Sequence, residues 1–91
     1  MIADTITVKV RFVSIMQQYS GNKREVTMEV PSIANQAIET VLNHFKIPWK
    51  DKLEKSTRIF INQNLYSPSS DTITLLKPED TIAFIPISGG G

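Results

Sequence analysis

The sequence predicts an α+β domain, a mixed β-sheet with one main helix packed across one face. Three observations predict it. Residues 6–13 and 24–30 alternate apolar and polar side chains with a period of two. Residues 33–45 repeat apolar side chains at helical spacing. Residues 81–86 form a nearly unbroken apolar run that stops at Pro86, just before a segment ending in Gly89-Gly90-Gly91.

Composition sets the frame. Ninety-one residues with 41% hydrophobic content suit one domain with a real but modest core. Ten Lys and Arg are nearly cancelled by nine Asp and Glu, and only Lys23-Arg24 are adjacent, which argues against nucleic acid. The absence of cysteine excludes disulfides, thiolate zinc sites and cysteine nucleophiles. Met1 to Thr5 carries neither a basic region nor a long apolar run, so no signal peptide is expected. No stretch approaches a membrane span, and a cytoplasmic protein without a membrane partner is the expectation.

The elements follow in order. Ile6, Val8, Val10 and Phe12 share one face of a half-buried first strand. Ser20-Gly21-Asn22 signals a turn between strands. Val26, Met28 and Val30 share one face of the second strand, so the two runs make a hairpin. Pro31 breaks that strand, and Ser32 is placed to cap a helix. The helix carries Ile33, Ala34, Ala37, Ile38, Val41, Leu42 and Phe45 on one stripe, and Pro48 obliges it to stop by Lys46. Residues 48–56 are a charged connector in which Trp49 plugs the edge of the core. Residues 57–61 are a third strand, closed by Asn62-Gln63-Asn64, and a short strand fits near Tyr66. Leu76-Lys77-Pro78-Glu79-Asp80 turns into the last strand, residues 81–86, apolar enough to be central and covered on both faces. A helix between the hairpin and the third strand permits a crossover, so the first and last strands can lie parallel in the centre. That is the β-grasp arrangement of ubiquitin-like proteins, with residues 1–86 as the domain and 87–91 as a flexible tail.

The usual constellations of catalytic side chains are missing. His44 has no second ligand or nucleophile in view, and Glu79-Asp80 and Asp51/Glu54 read as solvated turn residues. There is no phosphate-binding loop, dinucleotide fingerprint or metal-ligand cluster, so the chain is not expected to be an enzyme by itself. The glycine tail is the one segment without a structural task. Glycine there cannot pack or cap, and it leaves a main-chain carboxylate unobstructed. From Pro86 the tail reaches ~20 Å when extended. The sequence therefore places the chemistry at the carboxylate of Gly91.

Four stretches carry a resemblance to a known family: Val10-Arg11-Phe12-Val13, Glu29-Val30-Pro31, Ile61-Asn62-Gln63-Asn64, and the run from Leu76 to Pro86. The chain resembles the small, sulfur-carrying subunit of molybdopterin synthase, one of the ubiquitin-like β-grasp sulfur carriers. The last stretch is the most specific, being similar to the family's Gly-Asp-Glu-Val-Ala-Phe-Phe-Pro before a terminal diglycine. Two departures stand out. Pro78 or Glu79 occupies the place of the turn glycine, and the tail ends in three glycines. Without a gap, Gly90-Gly91 fall on the diglycine; with a gap, Gly89-Gly90 do and Gly91 is an extension that must be removed.

The resemblance implies the mechanism and the site. A ubiquitin-activating-enzyme-like adenylyltransferase would join the Gly91 carboxylate to AMP, using its own ATP and Mg²⁺; the chain would hold no cofactor or metal permanently. A persulfide donor would then displace AMP and leave a thiocarboxylate at Gly91, with Gly90 slim enough to thread a partner's channel. The molybdopterin synthase large subunit would accept the tail and the sulfur. Partner-binding residues would be Arg11, Phe84, Ile85, Pro86, Ile87, Ser88 and Gly89. Other readings share the tail: a carrier for thiamine, cysteine or tRNA thiolation, a ubiquitin-like modifier forming isopeptides through Gly91, or an interaction module with idle glycines.

Overall fold

Period-two alternation in the first strand, β1 (Thr5–Phe12), sends Val8, Val10 and Phe12 inward and leaves Thr7, Lys9 and Arg11 exposed. The computed structural model describes residues 5–66 and 73–87. In it β1 lies antiparallel to β2 (Glu25–Pro31) and parallel to the last strand, β5 (Thr81–Pro86). With β3 (Thr57–Ile61) and β4 (Asn64–Tyr66) the sheet order is β2-β1-β5-β3-β4, so the expected β-grasp core, with first and last strands adjacent and parallel, is present. Helix α1 (Ala34–His44) crosses one face, burying Ala34, Ala37, Ile38 and Val41, with Leu42 and Phe45 packed at the border. No described helix is long and apolar enough to cross a membrane.

Local structure departs from expectation in three places. The β1–β2 connection is a 3₁₀ helix (Ser14–Ser20) rather than a bare turn. It buries Met16, and the Ser20 hydroxyl lies within hydrogen-bond distance of two carbonyls that can accept its one proton, those of Gln17 (3.0 Å) and Lys23 (2.6 Å). Gly21 ends it at φ +70°, a left-handed conformation that glycine adopts without strain. At the start of α1 the capping position is Ile33, not Ser32, and no side chain caps it. Instead the segment before β5 crosses this end: the Ala34 amide donates to the Thr74 carbonyl (2.9 Å) and the Leu76 amide to the Ser32 carbonyl (2.7 Å). A neighbouring main chain thus satisfies a first-turn donor that a serine hydroxyl was expected to take. The connector after α1 holds a π-helical turn (Trp49–Leu53), where Trp49 meets the ring of Phe84 edge-on at 5.9 Å.

Two turns fix how β5 enters the sheet. Asn62 (φ +52°) and Gln63 (φ +76°) form a two-residue hairpin loop between β3 and β4, both in the left-handed region that type I′ turns require. Glu79 (φ +72°) follows Pro78 in a turn closed by the Asp80 amide on the Lys77 carbonyl (3.0 Å), the position glycine would fill without strain. Asp80 ties the two together. One carboxylate oxygen accepts from the Asn62 side-chain amide (2.8 Å) and the other from the Lys77 backbone amide (2.7 Å). The Asn62 side-chain oxygen accepts from the Thr81 amide (2.9 Å). Asp80→Ala is therefore expected to cost about 1–2 kcal/mol, seen as a lower Tm with the fold retained.

Candidate functional site

The site is the end of β5 and the sheet face that α1 does not cover. In β5, Ile82 and Phe84 point into the core, while Ala83 and Ile85 face the other way and are only half-buried. The expectation of a central strand covered on both faces is therefore corrected: its apolar residues serve two surfaces, one dry and one open. Thr81 and Ala83 are the smaller members of the run, and they lie on the open side.

Register across the sheet assembles the rest. Ala83 stands beside Arg11 on β1 and Phe60 on β3, and Phe60 is opposite Leu65 on β4. Ile85 stands beside Arg58. Arg11, Phe60, Asn62, Gln63, Ala83 and Ile85 line a shallow depression of about 470 Å³ on this face. Leu65, among the most exposed large apolar residues, extends it toward the β4 edge. Arg11 is 58% exposed and its Nε lies 3.9 Å from a Glu25 carboxylate oxygen, a loose surface pair worth little to stability. It lies on the open face beside Ala83.

Past Ile85 the chain is anchored for two more residues. Pro86 is in register with Thr57, and the Ile87 amide donates to the Ser56 carbonyl (2.8 Å). Ile87 itself is 41% exposed. The route from the open face through Ile85 to Ile87 is thus continuous and leads directly to residues 88–91. Ser88, Gly89, Gly90 and Gly91 lie outside the described residues.

Phe84 requires a correction. It was expected at the docking surface, but it is 0% exposed, stacked on Phe12 at a centroid distance of 5.8 Å with planes 7° apart. Phe12 in turn meets Phe45 edge-on at 5.1 Å. Alternation along β5 makes Phe84 and Ile85 exclusive: the parallel register that sets Phe84 beside Phe12 turns Ile85 outward. Ile85 and Ile87 keep surface positions, and Pro86 is half-buried at the edge of the sheet.

Three residues of this face escaped sequence reasoning: Arg58, Phe60 and Leu65. The alternation of Thr57-Arg58-Ile59-Phe60-Ile61 does put Arg58 and Phe60 on one side, and the charge on Arg58 marks that side as outward. Among the described residues, no cluster of three or more His, Cys, Asp or Glu could hold a metal. His44 is exposed and rests its ring edge-on against Phe45 at 4.6 Å. Burial pushes the Tyr66 phenol above its ordinary value, at the β4 border of the sheet. The arrangement can present an apolar surface with a cationic rim.

Comparison with known proteins agrees with this geometry. The ThiS family model matches residues 11–91. Among solved structures, small archaeal modifier protein 1 from Methanosarcina acetivorans is similar over 98% of this chain and 100% of its own, with 21% identity and a TM-score of 0.74. A chain of the complex of subunits 1 and 2 of molybdopterin-converting factor from Helicobacter pylori is similar over 94% and 100%, with 22% identity and a TM-score of 0.62. A chain of the BexX/CysO complex from Amycolatopsis orientalis is similar over 92% and 99%, with 20% identity and a TM-score of 0.65. At these identities the likeness is one of fold. No curated protein matches.

Proposed function

Because the chain belongs to the ThiS family of small ubiquitin-like sulfur carriers, we propose that it is the sulfur-carrying small subunit of a molybdopterin synthase. The observation that carries this reading is the uninterrupted path from the open apolar face, through Ile85 and Ile87, to the glycine-ended tail. The Ala83-Phe84-Ile85-Pro86 run before that tail, so similar to the family's, favours the molybdopterin branch over other sulfur pathways. The complex of molybdopterin-converting factor subunits, one chain of which shares this fold over 94% of the present chain, supports a partner of that kind.

On this reading the carrier contributes a surface and a nucleophile, and its partners contribute the catalytic side chains. An adenylyltransferase docks on the open face and draws the tail into its channel. The Gly91 carboxylate attacks the α-phosphorus of ATP, pyrophosphate leaves, and an acyl adenylate forms. A carboxylate is a poor electrophile until it is so activated. The outer sulfur of a persulfide then attacks the acyl carbon and AMP departs, leaving an acyl disulfide to the donor. A thiol attacks the donor-side sulfur, takes it up as a disulfide, and releases Gly91 as a thiocarboxylate. Glycine at positions 90 and 91 lets the channel close around bare backbone. The large subunit binds the same tail and directs the sulfur to a cyclic pyranopterin precursor.

The test is reconstitution. The thiocarboxylated chain, mixed with a molybdopterin synthase large subunit and the pyranopterin precursor, is expected to yield the dithiolene product in proportion to carrier consumed. Sulfur delivery only to a thiazole, cysteine or tRNA acceptor would move the chain to another sulfur pathway. Stable isopeptides with target lysines, and no sulfur transfer, would make it a protein modifier.

A further inference from the structure

The open face carries a second arginine besides Arg11. Arg58 is exposed on β3 and registered opposite Ile85, one residue before Pro86. Neighbouring strands put the two Cα atoms about 5 Å apart. Any protein that covers Ile85 while receiving the tail must therefore cover Arg58 as well. Among the described residues Arg58 has no ion-pair partner, whereas Arg11 is close to Glu25. The two arginines flank β5 on opposite sides and two residues apart, which separates their Cα atoms by about 12 Å. That exceeds the screening length at physiological salt, so each acts on its own stretch of partner surface.

A guanidinium moved from water into an interface is costly unless a carboxylate meets it, and its planar fork then binds that carboxylate with two hydrogen bonds. We infer that Arg58 is a specificity-determining residue for tail delivery, and that it selects partners bearing an Asp or Glu at the rim of their tail channel. The inference rests on the docking face proposed above and adds to it the charge of the partner. Arg11, partly neutralised by Glu25, supplies a weaker rim contact. Lys9, on the same face but beside Thr81 at the far end of β5, lies away from the channel mouth and serves as a control of equal charge.

The experiment measures association of the full chain with its cognate adenylyltransferase by stopped flow, at about 0.1 M and about 1 M salt. Arg58→Glu is expected to slow association ~10-fold or more at the lower salt, with the deficit largely erased at the higher, where the screening length falls to ~3 Å. Arg58→Lys should keep most of the rate, and Lys9→Glu should change it less than twofold. Unchanged circular dichroism melts would show that these exposed positions leave the fold intact. An Arg58→Glu rate within twofold of native at 0.1 M salt, or a loss of equal size at both salts, would overturn the inference. Ile85→Asp separates the two claims: normal association by that variant would overturn the docking face itself, whatever Arg58 does.

Discussion

Replacing Gly90 with valine is expected to abolish sulfur loading while leaving the Tm unchanged. Residue 90 lies outside the described residues, and a glycine has no side chain to lose, so the substitution is expected to take nothing from the folded domain. On the proposed function, what it changes is the width of the chain at the point that would enter a partner's channel. A branched Cβ there restricts the backbone and meets walls shaped for glycine. Deletion of Gly91 tests the register of the same tail. If Gly90-Gly91 are the working pair, the deletion leaves the carboxylate about one residue, ~3.5 Å, short of the adenylating centre, and loading fails. If Gly89-Gly90 are the working pair, the deletion creates the competent end and loading rises. Mass spectrometry of the loaded product distinguishes the two.

The second large effect lies in the core. Phe84→Ala is expected to destabilise the domain by about 3–5 kcal/mol, because it empties a fully buried aromatic site whose neighbours cannot all move in. The vacated space adjoins Phe12 and Trp49, two rings that lose their partner together. For a domain of this size each kcal/mol lowers Tm by roughly 4–8 °C, so the loss is visible in a single melt. Ile87→Ala, at an exposed position, should leave the melt nearly unchanged and weaken partner binding. The contrast between the two separates the dry side of β5 from its exposed continuation at Ile87. Measured alone, a loading defect in Phe84→Ala would reflect unfolding.

Much of this could be read from the residues. The alternation of Ile6, Val8, Val10 and Phe12 fixes the inward face of β1, and the stripe from Ala34 to Phe45 fixes the face of α1, because each pattern has a single period. The helix lying between the hairpin and the third strand permits the crossover that the parallel central pair needs. The faces of β5 were harder. Thr81-Ile82-Ala83-Phe84-Ile85 is apolar at nearly every position, so period alone does not say which parity faces α1. The decision comes from pairing with Phe12, seventy-two residues earlier in the chain. Side-chain size carried the missing signal, since Ile82 and Phe84 outweigh Thr81 and Ala83 on the open side. The 3₁₀ helix left no periodic trace, for only Met16 and Ser20 in it are buried. The backbone capture of the α1 start by residues 74 and 76 was equally silent, being a contact between segments some forty residues apart.

Intact-mass spectrometry reads the proposed chemistry at the terminal carboxylate directly. The chain is incubated with its adenylyltransferase, ATP and Mg²⁺, and a persulfide donor, then weighed whole. A single new species is expected, heavier by the difference between one sulfur and one oxygen, with the change confined to the peptide that ends at the working glycine. The species should be absent when ATP is omitted or when Gly90 is valine. An unchanged mass under full conditions, or a mass gain that maps to a side chain within the domain, would contradict the proposed chemistry.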